Sequence, residues 1–205
     1  MLLAIAIAEG SYDDISLMLK SFQNTTMAIK YADVPVVVAP FNLTLGGGCE
    51  FSMAADARVA HAETYMGLVE MGVGLLPAGG GTKESTIRAV ELAESFKTDV
   101  SAFLFKRFEN IGLAKVSMSA DEAFELGYMR EGDSITMNID NLIHDAKQKI
   151  LGLAPNYRPS KPLTAIKAPG RGVAASIKSQ LWNLAKGAFA TEYEAYMGGI
   201  VADGI

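Results

Sequence analysis

The chain of 205 residues contains one cysteine, two histidines and one tryptophan. A single cysteine excludes an intrachain disulfide and fits a reducing, intracellular setting. Histidine and cysteine are too few and too scattered to form a zinc-ligand constellation. Positive charge is also scarce. Lys and Arg number 18 against 23 Asp and Glu, a formal net charge of -5, whereas a general nucleic-acid binder needs clustered cations to neutralise phosphate. The most basic stretch, 158–178, spaces Lys161, Lys167 and Arg171 among prolines and offers an anionic ligand only a local contact. Residues 1–8 are apolar but too short to span a membrane, and they carry neither a basic leader nor a small-residue cleavage site. No membrane span is expected, and the expected compartment is the cytoplasm.

Half of the residues are hydrophobic and a fifth are charged, which suits one well-cored domain with room for a helical appendage. That composition is apolar for a soluble monomer and leaves surface for a subunit interface.

The most informative stretch is 45–51, Leu-Gly-Gly-Gly-Cys-Glu-Phe. It follows the β-branched run 34–39, which has the pattern of a buried strand, and precedes small and apolar residues suited to a packed helix. Adjacent glycines let a backbone take positive φ and leave amide N–H groups bare. At a helix start the first amides have no intrahelical partner, and the helix dipole adds partial positive charge. The pattern predicts an anion-binding turn.

Phosphate motifs do not fit it. A Walker loop needs Gly-Lys followed by Ser or Thr, whereas Gly48 leads into Cys49 and Glu50. A Rossmann fingerprint read from Gly72 fails at Pro77. Glu50 would repel phosphate and points to acid-base chemistry, although a Glu opening a helix is ordinarily a solvated dipole partner. Cys49 reads either as a nucleophile or as a small buried residue at the helix start.

Residues 36–56, then Gly67-Leu68-Val69-Glu70-Met71-Gly72, then Leu76-Pro77-Ala78-Gly79-Gly80-Gly81-Thr82 resemble the core of the crotonase family, the enoyl-CoA hydratases and isomerases. Residues 118–128 resemble a later family segment, so the likeness covers roughly 34–135. Phe41 after Ala39-Pro40 and the insert after Thr82 look closest to the hydratase-like region of bacterial fused 3-hydroxyacyl-CoA dehydrogenases. One departure is Leu43, which stands where the family usually has a glycine after Asn42.

The resemblance implies an α/β crotonase-type ββα spiral core, incomplete at its N-terminus, over 1–135, with a helical C-terminal region over 136–205 and a Pro-rich linker near 155–169. The turn that supplies the second oxyanion-hole amide is expected to lie before residue 1, so the chain is expected to be a piece of a longer protein or to lack its start. It further implies Glu50 and Glu70 as catalytic carboxylates, Gly47 as the oxyanion-hole donor, and Gly46, Gly48, Gly79 and Gly80 as substrate-binding backbone. No metal or redox cofactor is implied, CoA arriving as part of an acyl-CoA thioester. The implied partners are further copies, as trimers or dimers of trimers, and a dehydrogenase domain of the same longer protein. The implied reaction is hydration of trans-2-enoyl-CoA in fatty-acid β-oxidation. Two rivals are a Δ3,Δ2-enoyl-CoA isomerase, in which Glu70 alone shuttles a proton, and a non-catalytic acyl-CoA-binding or assembly module of a multifunctional dehydrogenase.

Elsewhere, Ser11 with Asp13 and Asp14 predicts the start of an amphipathic helix to about Tyr31, with Ile15, Leu19, Phe22 and Met27 inward. Residues 57–61 read as a short strand and 91–114 as one long mixed stretch. Ser119 with Glu122 forms a capping-box pattern ended by Gly127. Residues 141–153 predict a helix with Leu142, Ile143, Ala146 and Ile150 on one face, and 172–196 return to helix. The glycine-rich end from 198 has little to hold it.

Overall fold

The computed structural model of the protein describes residues 2–168 and 170–205, with side chains from residue 5 onward. The last residue of the expected linker, Pro169, lies outside the described residues. Helices α1 (Leu2–Ala8) and α2 (Tyr12–Lys30) come first. Strands β1 (Val37–Val38) and β2 (Leu43–Leu45) lead into helix α3 (Gly47–Ala54). Strands β3 (Ala57–His61) and β4 (Tyr65–Gly67) repeat that order and run into a 3-10 turn, Glu70–Val73. Helices α4 (Gly81–Phe96), α5 (Ser101–Gly112) and α6 (Ala120–Leu126) follow. Strand β5 (Ser134–Thr136) and helices α7 (Leu142–Leu153), α8 (Arg171–Lys186) and α9 (Glu192–Gly204) complete the order.

The strands stack as successive turns of a spiral. β3 lies parallel to β1, with Val37 opposite Ala57, and β5 lies parallel to β3 on its other side. A second sheet pairs β2 with β4 in parallel, Leu45 opposite Gly67. Parallel neighbours need a crossover, and α3 supplies it between the first two turns. Repetition that no residue pattern displays is plain in this pairing.

The strand expected over 34–39 shrinks to Val37–Val38. Pro35 has no N–H for a ladder, and the Val36 amide donates to Asp56 Oδ2 at 2.8 Å instead. The stretch 91–114 is a helical hairpin, broken where Lys97 takes a left-handed φ of 53° as the cap of α4. The helix expected over 172–196 is two helices. It stops at Gly187 and restarts at Thr191, whose hydroxyl and backbone form a full capping box with Glu194. The glycine-rich end is ordered as α9, which buries Met197, Val201 and Ala202 and ties Asp203 to Lys178 at 2.6 Å. Within α7, Leu142 and Ala146 are buried but Ile143 faces solvent. On α2 the buried position is Thr26, while Leu19 and Met27 are exposed.

Two buried arginines finish the framework around α3. Arg58 pairs with Asp133 at 2.6 Å and donates to the carbonyls of Ser52 and Ala55. Arg88 donates to the Met53 carbonyl at 2.8 Å and to those of Gly127 and Tyr128. Each satisfies carbonyls that a helix end leaves without intrahelical partners. No helix among the described residues is long and apolar enough to cross a membrane.

Candidate active site

The glycine turn forms as its pattern predicts. Gly46 caps α3 with φ 53° and ψ -124°, a conformation open to glycine. Its amide donates to the Gly67 carbonyl at 2.8 Å, which locks the turn to the end of β4. Gly47 is the first residue of α3, so its N–H has no intrahelical acceptor. Gly48 continues the same turn. Cys49 is fully buried, and burial drives its thiol well above the usual range, so it is a packing residue at neutral pH.

The sheet register explains how two carboxylates separated by twenty positions come together. Because Leu45 lies opposite Gly67, the segments after β2 and β4 leave the sheet side by side. Glu50 follows the first and Glu70 the second. A Cβ placed on Gly46 would stand 3.1 Å from Glu70 Oε1, so the Glu70 carboxylate reaches directly over the glycine turn.

The two acids have different surroundings. Glu50 is 3% exposed, and its Oε1 accepts the Gly81 N–H at 2.8 Å at the start of α4. Burial pushes its pKa up, and the amides of Gly81, Gly79 and Gly80 oppose that rise. Glu70 has less support: its Oε2 is buried without a hydrogen-bond partner among the described residues. Burial, reinforced by the negative charge of Glu50, lifts it to about 7 against the opposing pull of its own backbone amide. Among the described residues no group of His, Cys, Asp and Glu is arranged to hold a metal ion.

One helix assigned only to packing by its periodicity proves to build the site. Gln23 Nε2 donates to the Ala78 carbonyl at 2.8 Å and Thr26 Oγ1 to the Gly79 carbonyl at 2.6 Å. Lys30 Nζ reaches Glu84 at 2.7 Å. Side chains at one face of α2 thus hold the loop whose amides hold Glu50. The spacing of Phe22, Thr26 and Lys30 by four is the signal that marks this face.

Residues 5–95 match the family model for enoyl-CoA hydratase/isomerase. The chain belongs to the enoyl-CoA hydratase/isomerase family. It is 41% identical over 170 residues to a Bacillus subtilis protein named a probable 3-hydroxyacyl-CoA dehydrogenase, a match covering 82% of this chain and 21% of that one. It is 33% identical over 145 residues to a Rickettsia felis protein provisionally named a fatty acid oxidation complex trifunctional enzyme, covering 71% and 19%. The chain therefore spans about a fifth of the length of these curated relatives. The crystal structure of an enoyl-CoA hydratase from Bacillus anthracis superimposes with a TM-score of 0.54 at 20% identity, over 94% of this chain and 62% of that one. That likeness establishes the crotonase-type fold of this family member.

Proposed function

We propose that the chain carries the hydratase site of a longer 3-hydroxyacyl-CoA dehydrogenase and adds water to trans-2-enoyl-CoA thioesters in fatty-acid β-oxidation. The observation that carries this reading is the meeting of two carboxylates, one deeply buried and one lifted to about 7, beside an unpartnered amide at Gly47. The names of the two curated relatives support it.

The thioester carbonyl takes the Gly47 N–H, with Gly46 and Gly48 shaping the turn around it. As the β-carbon is attacked, charge grows on that oxygen as an enolate, and one preorganised donor is worth roughly 3 kcal/mol of barrier. The amides around Glu50 favour its charged form, which suits it to take a proton from water. Glu70 has only its own backbone amide for such support and holds a proton more readily, which suits it to deliver one to the α-carbon. Water oxygen bonds the β-carbon, one water proton passes to Glu50, and the Glu70 proton goes to the α-carbon. Proton exchange between the acids restores the start. Gly79 and Gly80 act in this scheme by shaping the bed of Glu50 as well as by bordering the substrate.

CoA enters as part of the substrate, and the chemistry needs no metal or redox cofactor. The same reading assigns the reaction to the cytoplasm and the chain to a homo-oligomer, a trimer or a dimer of trimers, for which exposed Leu17, Trp182 and Tyr196 supply apolar surface. The test is a crotonyl-CoA hydration assay of the chain beside Glu50→Gln and Glu70→Gln. Each substitution is expected to lower turnover by about 10²-fold or more. Full turnover in either variant, or a product other than 3-hydroxybutyryl-CoA, refutes the assignment.

A further inference from the structure

The hydration scheme gives helix α9 no task, yet a side chain of this helix reaches the turn that carries Glu70. Tyr193 Oη donates to the Gly74 carbonyl at 3.3 Å. Gly74 ends the 3-10 turn Glu70–Val73 with a left-handed φ of 73°, and a Cβ built on it would lie 3.6 Å from Tyr193 Cε1. The ring edge therefore packs on the bare glycine while the hydroxyl holds its carbonyl. Next to Gly74, the Leu75 amide returns to the Glu70 carbonyl at 3.0 Å, so a tie at Gly74 steadies the backbone of Glu70 as well.

That tie matters because the turn is not seated in solid core. A cavity of about 820 Å³ lies between Met71 and Gly72 of the turn and helices α5, α8 and α9. Close packing ordinarily holds a segment in place, and here open space interrupts it. The Glu70 carboxylate has little of its own to hold it, since Oε2 lacks a hydrogen-bond partner among the described residues. Where the backbone stands therefore decides where the acid points. Helix α9 is a firm support: its Val201 belongs to the same buried cluster as Cys49 and Leu68, and the capping box of Thr191 and Glu194 flanks Tyr193.

We propose that Tyr193 is a positioning residue, which by fixing Gly74 holds the Glu70 turn in register and keeps the Glu70 carboxyl out of water. This rests on the reading of the site as an acyl-CoA hydratase with Glu70 as proton donor. The groups coupled by charge to Glu70 are Glu50 and Cys49 on α3 and Tyr128 after α6. Lys106 and Glu109 of α5 and Glu194 of α9 line the cavity.

The test is crotonyl-CoA hydration across pH by the unaltered chain, Tyr193→Phe and Tyr196→Phe. Tyr196 is the control: it lies on the same helix, its ring centroid 6.4 Å from that of Tyr193. Both rings are largely exposed, so the thermal melts of all three proteins should agree. A proton donor works only while protonated, so kcat/KM should fall as pH rises through the Glu70 value of about 7. Loss of the Tyr193 hydroxyl frees the turn and lets water reach the carboxyl, which weakens the burial that raises its pKa. Tyr193→Phe is expected to lower kcat about 3- to 10-fold with KM held within about twofold. Its falling limb should move toward lower pH by about half a unit or more, while Tyr196→Phe follows the unaltered chain. An unmoved limb in Tyr193→Phe, a change confined to KM, or equal changes in both variants overturns the proposal and leaves the hydratase reading intact. Absence of turnover in the unaltered chain overturns the hydratase reading, and the role of Tyr193 falls with it.

Discussion

Replacing Glu70 by glutamine is expected to make the protein more stable in alkaline solution while removing its proposed catalysis. In the unfolded chain this carboxyl ionises near its ordinary value of 4.5, and in the folded protein near 7. Below the lower value both states hold the proton and the group has no effect on folding. Between the two values the unfolded chain has lost a proton that the folded chain keeps, so stability falls as pH rises, and the loss is complete above the folded value. The interval corresponds to about 3 kcal/mol at most. Glu70 is only partly buried, and solvent screening cuts that to roughly 1–2 kcal/mol. Glutamine is nearly the shape of protonated glutamate and never ionises. Urea unfolding of both proteins from about pH 5 to about pH 8.5 spans the transition. Their free energies should coincide at the acid end and separate through neutrality, with the variant the more stable. The upward shift of Glu50 occurs in both proteins and largely cancels in the difference. Curves that stay parallel, or a variant that is the less stable at high pH, would show that Glu70 carries no uncompensated charge.

Two further outcomes follow from packing. Gly79→Ala puts a methyl group into the Phe22 ring and against Glu50 Oε2. It should cost about 1–3 kcal/mol in a thermal melt and abolish turnover. Gly152→Ala on α7, with nothing within 4 Å of the added carbon, should be neutral or stabilising by up to about 1 kcal/mol. Asp133→Ala strands the guanidinium of Arg58, which is fully buried. It should lower stability by about 3–5 kcal/mol in urea, and a smaller loss would mean that water reaches Arg58.

Features set by a few adjacent residues could be read without coordinates. The glycine turn, the helix after it and the cap of α6 belong to this class: Ser119 accepts the Glu122 amide at 3.1 Å, and Gly127 takes φ 79°. Their cause is local, bare amides and a positive φ that glycine alone accepts freely. The remaining features depend on partners distant in the chain. The truncation of β1 follows from Asp56 capturing the Val36 amide. The convergence of Glu50 and Glu70 follows from the register of β2 on β4. The four-residue spacing of Phe22, Thr26 and Lys30 marks one face of α2 but not the loop that face meets, so the Thr26–Gly79 bond and the packing of the Phe22 ring on Gly79 are set by tertiary packing. The breaks at Lys97 and Gly187 fell inside stretches whose apolar residues continue across them. Family likeness pointed to the carboxylates, while the unequal support that suits them to opposite tasks emerged only from their neighbours.

The eight residues of α3 make it about 12 Å long. Its far end is not left bare, since two guanidinium groups sit against the carbonyls of Ser52, Met53 and Ala55. In so short a rod the two poles lie close enough to offset one another. Cations locked at the carbonyl pole quench its negative field, so a newborn enolate at Gly47 would meet a nearly one-signed potential. Cationic residues remote from any ligand can thereby set how strongly the opposite tip attracts one.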